Sequence, residues 1–170
     1  MRNVEIKAKI ANLKNLLANI SKICDKEPEN ISQHDVFYEV PAGRLKLRRF
    51  KEGDAELIFY DRPDCKGPKL SDFEKCYLPF EQVDGMNKVL TKAFGVRTEV
   101  VKNRQLFMVG QTRVHVDKVE NLGDFVELEV VLNNEQSIED GQEIANDIMK
   151  KLGIEEENLL ATAYADLLKK

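Results

Sequence analysis

No stretch of this chain approaches the ~20 apolar residues that a membrane-spanning helix requires. The N-terminal MRNVEIKAKI alternates like a strand where a secretory leader would carry an apolar core. A soluble, cytoplasmic protein is the expectation. Cysteine is scarce: Cys24, Cys65 and Cys76 are odd in number and fall in no CxxC or CxxH spacing, which argues against a disulfide framework and a zinc site. Positive charge is not in excess either. With 26 Lys and Arg against 30 Asp and Glu, the formal charge is -4, so no global field attracts nucleic acid or an anionic membrane. Any anion site must be a local concentration of basic residues. Repeats, low-complexity tracts and linkers are also missing. A chain of 170 residues, 42% hydrophobic and 33% charged, has material for one core, so a single domain spanning 1–170 is expected.

What is present is alternation. VEIKAKI reads as a strand, and LKNLLANISKI follows as a helix with Leu13, Leu16, Leu17, Ile20 and Ile23 at three- and four-residue spacing. After a loop containing Pro28, HDVFYEV and RLKLRRF read as a hairpin turning at Pro41 to Gly43, and ELIFYDRP as the next strand. DCKGPKLSD reads as a loop, and Pro79 opens a helical run through Leu90 and Phe94 that Gly95 ends. TEVVKNRQLFMVG, QTRVHVDKV and GDFVELEVVL look like three consecutive antiparallel strands, turning at Val109 to Gln111 and Asn121 to Asp124. Ser137, with Asp140 three residues on, caps a helix carrying Ile144, Ile148, Met149 and Leu152 that stops at Gly153; a short helix through LLATAYADLL closes the chain. The class is α+β with mostly antiparallel strands.

Each strand has an apolar back and a charged front. GDFVELEVVL sets Val126, Leu128, Val130 and Leu132 against Phe125, Glu127, Glu129 and Val131. Glutamate is a poor strand former, and like charges on one face repel, so two carboxylates together there require a reason. The other fronts carry Glu5, Lys7 and Lys9; Arg44, Lys46 and Arg48; Tyr60 and Arg62; Lys102 and Arg104; and Arg113, His115 and Asp117. A face meeting water would mix its polar residues; these are dominated by Arg and Lys. The bias implies a closed or nearly closed barrel with the charged fronts inward and helices over the apolar backs, the reverse of an ordinary small barrel. Inward charges of one sign call for a polyanion, and a chain of phosphates is the obvious one. Glu5, Glu127 and Glu129 would then hold Mg2+ or Mn2+, hard ions that take carboxylate oxygens and bridge phosphates.

VEIKAKI, GRLKLR with LIFYDR, Lys102-x-Arg104, RVHVD, GDFVELE and AYADLL, in this order over nearly the whole chain, resemble the CYTH domain, or triphosphate tunnel metalloenzyme, family. RVHVDKVENLGDFVELE is most similar to the class IV adenylyl cyclase branch. The resemblance implies an eight-stranded antiparallel barrel enclosing a tunnel, basic residues on a triphosphate and glutamates on the metal. Carried onto matching positions, Lys7, Lys46, Arg48, Arg62, Lys102, Arg104 and Arg113 would contact phosphates. Glu5, Glu127 and Glu129 would bind metal, Asp117 would orient a base or a water, and Lys7 could also serve as a base. Lys75 is placed in a loop near the tunnel mouth; His115 and Tyr60 are read as structural or substrate-flanking, and His34 and the cysteines as structural. There is one departure. The family opens with Glu-x-Glu-x-Lys, and this chain has Asn3 at the first Glu.

Two reactions use such apparatus: hydrolysis, with water attacking the terminal phosphorus, and cyclisation, with the ribose 3'-hydroxyl attacking the α-phosphorus of ATP and expelling pyrophosphate. No adenine-recognition motif is present, so hydrolysis is placed first, cyclisation second, and a polyphosphate- or nucleotide-binding module without turnover third. The partner is a small triphosphate, inorganic, nucleoside or thiamine, or the 5'-triphosphate end of an RNA. No membrane partner is expected, and the chain is a monomer or homodimer.

Overall fold

Period-two alternation decides which way each strand faces, and in the computed structural model, which describes residues 2–168, the apolar faces of β1, β7 and β8 turn outward. The strands are β1 (Arg2–Lys9), β2 (Glu29–Tyr38), β3 (Arg44–Phe50), β4 (Ala55–Asp61), β5 (Lys69–Leu78), β6 (Val96–Val109), β7 (Thr112–Val119) and β8 (Gly123–Val131). They close into an antiparallel barrel in the order β1-β5-β4-β3-β2-β6-β7-β8. Helices α1 (Leu13–Ile23), α2 (Phe80–Phe94), α3 (Ile138–Leu152) and α4 (Tyr164–Leu168) complete the fold. Among the described residues no helix is long and apolar enough to cross a membrane.

The principal core lies outside the barrel wall. Val4, Ile6 and Ala8 of β1, Val114 and Val116 of β7, and Val126, Leu128 and Val130 of β8 make one surface. Leu16 and Ile20 of α1 and Ala145, Ile148 and Leu152 of α3 cover it. Each large aliphatic side chain buried there contributes about 1.5–3 kcal/mol. Helix α3 lies so close that a Cβ on Gly141 would stand 2.6 Å from Val4 Cγ2, so only glycine fits there despite its poor helix propensity. Ser137 and Asp140 form the expected capping box, and Gly153 ends the helix in the left-handed region. On the opposite side, Val83 and Leu90 of α2 pack on Val36, Leu47 and Leu78.

Three readings need correction. DCKGPKLSD is not all loop: Lys69 begins β5, whose outward Asp72, Glu74 and Cys76 are exposed, so backbone pairing to β4 and β1 rather than an apolar stripe defines the strand. Lys75 therefore lies in a strand, opposite Ile58. Strand β2 begins at Glu29, five residues before the expected start, because its first half pairs with the long β6. Finally, α4 is confined to Tyr164–Leu168. Residues 159–161 stay extended because β1 pairs with β5 only from Arg2 to Glu5, which leaves the rest of that edge open. Leu159 bridges Ala8, the Leu160 N–H donates to the Lys7 carbonyl at 2.8 Å, and Lys69 Nζ donates to the Ala161 carbonyl at 2.8 Å. These satisfied backbone groups outweigh local helix propensity.

Candidate active site

The inward faces of the eight strands and the start of α4 enclose a cavity of about 240 Å³. Of the residues read as phosphate contacts, Lys7, Lys46, Arg48, Arg62, Lys102, Arg104 and Arg113 all line it, as do the three glutamates read as metal ligands. Arg113 differs from the rest in being exposed, opposite Glu129 across the β7–β8 pairing.

Residues distant in sequence meet here because β2 pairs with both β3 and β6. At their junction stands Asp35, 1% exposed. Its two oxygens accept from Arg48 Nε and Nη2, each at 2.8 Å, and Lys46 and Lys102 lie 3.5 and 3.7 Å away. Burial alone would raise this carboxyl, but Arg48, Lys46 and Lys102 together hold it well below the usual carboxylate range. The polyanion that inward cations seemed to require is thus partly supplied by the protein. Sequence reading overlooked Asp35, although its place two residues before Phe37 on the β2 face would have put it inward.

A second buried pair flanks the first. Arg104 donates through Nε and Nη2 to the two oxygens of Asp117, both at 2.7 Å, and the Tyr164 hydroxyl donates to the same carboxylate at 2.9 Å. Asp117 is 0% exposed and lies outside the cavity lining. Its carboxylate orients Arg104 and anchors α4. Tyr164 was read only as part of a short helix, yet its ring sits 3.9 Å from Lys7 Nζ and 5.1 Å from Lys102 Nζ, within cation–π range. Asp166 accepts from Arg44 at 2.6 Å and Arg97 at 2.7 Å, fixing the same segment over the barrel.

The acids gather on β1 and β8. Glu5 stands opposite Glu129, and Lys7 opposite Glu127. Glu127 lies 3.6 Å from Lys7 and 3.8 Å from Arg104. Burial would raise its carboxyl, but these cations hold it well below normal. Glu5 moves the other way: burial, with Glu127 nearby, pushes it up to about 7 although Arg62 lies 3.2 Å away. Burial also lowers Lys7, the desolvation that a lysine base needs. Asn3 is buried and donates to Glu129 Oε1 at 2.6 Å. His115, read as structural or substrate-flanking, faces Glu127 across the β7–β8 hairpin. The Asn121 to Asp124 turn fixes that register, so it could have been counted from the sequence. Among the described residues, donor atoms of His115, Glu127 and Glu129 lie within 4.8 Å of one another, close enough to hold one metal ion.

Lys46 makes the basic cluster testable by pH. Burial, with Arg48 adjacent, pulls its ammonium down to about 8 against the opposing effect of Asp35. The unfolded chain therefore binds more protons than the folded one between about pH 8 and the ordinary lysine value near 10.4, so stability rises with pH across that window. Anion affinity runs the opposite way, because a phosphate needs the ammonium form. Tripolyphosphate binding measured calorimetrically in EDTA is expected to weaken between pH 7 and 9, by up to about tenfold per unit above pH 8. Lys46→Arg is expected to flatten that dependence. An unchanged slope would remove Lys46 from the phosphate contacts.

A closed antiparallel barrel with inward Lys, Arg and Glu around a ligand-sized cavity defines the class of the protein. The CYTH domain family matches residues 1–164, and the chain belongs to that family. A Methanocaldococcus jannaschii protein provisionally named an adenylate cyclase is 25% identical over 177 residues, covering 98% of each chain. Among solved structures, a Pyrococcus horikoshii protein superposes with a TM-score of 0.83 at 23% identity over 97% of this chain and 98% of its own. A Hippeastrum protein, provisionally named an adenylyl cyclase and described as having a dominant triphosphatase activity, gives 0.67 at 13% identity over 95% and 91%.

Proposed function

We propose that the protein is a metal-dependent phosphohydrolase that cleaves a triphosphate inside the barrel. The observation that carries this reading is the approach of Lys46, Arg48 and Lys102 around Asp35, with Arg104 in the same cavity as the carboxylates of β1 and β8. The fit to a divalent cation is supported by a donor set of two carboxylates and a histidine within 4.8 Å, and by the buried, unpartnered Oδ1 of Asn3, whose amide donates to Glu129. Glu127 and Glu129 would hold the ion, Mg2+ or Mn2+, with Glu5 adjacent. When bound, it supplies Lewis-acid neutralisation of phosphate oxygens.

The remaining work falls to the chain. Lys46, Arg48, Lys102 and Arg104 grip the phosphates and offset the charge that grows as the leaving group departs. Arg62 and Arg113 extend the grip toward Glu5 and the exposed edge. Asp117, expected to orient a base or a water, acts in this reading as a positioning residue that holds Arg104. Lys7, desolvated beside Tyr164, takes a proton from the attacking water. The new P–O bond forms at the terminal phosphorus, the bridging P–O bond breaks, and its electron pair leaves with the diphosphate.

A second reading, adenylyl cyclisation, has its own support. A hollow of about 860 Å³ adjoins the cavity at Ile31, Phe50 and Arg104 and could take a nucleoside. Product analysis decides. With tripolyphosphate and with ATP, in Mg2+, Mn2+ or EDTA, metal-dependent orthophosphate is expected. Cyclic AMP with pyrophosphate would replace hydrolysis by cyclisation. Neither product, with a raised Tm in tripolyphosphate, would make the barrel a binding module.

A further inference from the structure

We infer that the His115 imidazole is a ligand of the metal held by Glu127 and Glu129, and that it makes the site select a first-row transition ion such as Mn2+ over Mg2+. The inference rests on the proposal that the tunnel binds a divalent cation, and it goes further by naming the ligand that chooses the ion.

Three observations converge. His115 is 3% exposed and its Nδ1 has no hydrogen-bond partner. A buried polar atom left unsatisfied costs free energy, and a structural histidine in a barrel wall would ordinarily have found a carbonyl or hydroxyl. A ring nitrogen of His115 also lies within 4.8 Å of oxygens from both Glu127 and Glu129. Third, Asn3 takes the place where the family signature has its first acid, and its amide donates to Glu129 while its Oδ1 is buried and unpartnered. The opening strand thus offers a neutral oxygen beside Glu129, while Glu5 is engaged with Arg62 at 3.2 Å.

The chemistry of that set differs from an all-carboxylate site. Mg2+ is small and hard, demands near-ideal octahedral oxygen and gives up water reluctantly. An imidazole nitrogen among the ligands disfavours it and favours first-row transition ions, least for Mn2+ and increasingly through Fe2+ and Co2+. Two carboxylates balance one divalent charge, so the set suits a single ion.

The test uses the intact protein and Mn2+ as probe. Electron spin echo spectra of bound Mn2+ are expected to carry histidine-type 14N modulation, and Mn2+ is expected to bind at least about tenfold more tightly than Mg2+. In His115→Ala the nitrogen modulation disappears and Mn2+ affinity falls by about tenfold or more, while Mg2+ affinity falls by much less. His115→Gln, which returns an oxygen donor, is expected to narrow the Mn2+ over Mg2+ preference without restoring the 14N signal. The wild-type spectrum alone decides if either variant fails to fold. Bound Mn2+ without nitrogen modulation, equal losses for both ions, or no Mn2+ binding would overturn the inference. Nitrogen-coupled Mn2+ in a protein that hydrolyses no triphosphate would instead leave the inference standing and overturn the proposed reaction.

Discussion

Glu129→Gln is expected to lower kcat for orthophosphate release by roughly a thousandfold or more while Tm changes little. The substitution is isosteric and keeps an oxygen to accept from the Asn3 amide, which now donates at 2.6 Å. What disappears is the charge facing Glu5 on one side and Arg113 on the other, and with it half of the anionic charge of the Glu127 and Glu129 pair. Tripolyphosphate measured in EDTA is expected to bind the variant at least as well as the wild type, because a repulsive carboxylate has been neutralised. Full turnover in Glu129→Gln would sink the metal assignment.

The second large effect belongs to stability. Asp35→Asn removes the counterion from Arg48, Lys46 and Lys102 in a site where all three are poorly solvated. Breaking a buried ion pair by deleting one partner typically costs about 3–5 kcal/mol, which for a chain of this length lowers Tm by roughly 10 °C. Part of the loss is relieved as Lys102, already pulled well below the usual lysine value by burial and by Arg104 and Arg48, gives up its proton. The distinguishing result is the response to anion. Tripolyphosphate in EDTA is expected to raise the Tm of Asp35→Asn by more than it raises that of the wild type, because it fills the place that Asp35 occupies in the free protein. Equal shifts would show that the phosphate chain binds elsewhere. In the wild type the Asp35 contribution is complete above about pH 4, the value of an unfolded aspartate, and is lost only as pH falls through the depressed value of the folded state.

These expectations depend on residues of unequal legibility. Glu127 and Glu129 stand out on a strand whose back is continuous valine and leucine, and Lys46, Arg48, Lys102 and Arg104 repeat the same alternation. Asp35 does not stand out, because a single acid between His34 and Val36 is common on any strand. Its meaning comes from the β2–β3 and β2–β6 pairings, which bring together side chains 67 positions apart. Strand β5 was invisible for a related reason. With Asp72, Glu74 and Cys76 exposed on its outer face, no hydrophobic period marks it, and only hydrogen-bonding partners on both sides make it a strand.

By itself the sequence determined much of the barrel wall: the apolar backs and charged fronts of β1, β3, β7 and β8, and where α3 is capped by Ser137 and stopped by Gly153. Those features are local, set by a period of two or of 3.6 and by backbone groups a few residues apart. The tertiary structure alone decided which charges neutralise one another. It turned Asp35 and Asp117 into internal counterions, left Glu5 with a carboxyl pushed up to about 7 while Glu127 was held low, and brought Tyr164 across to Lys7. The physical reason is that a charge in a poorly solvated cavity takes its energy from whatever stands within a few ångströms. In a closed barrel those neighbours are fixed by strand register across the whole chain.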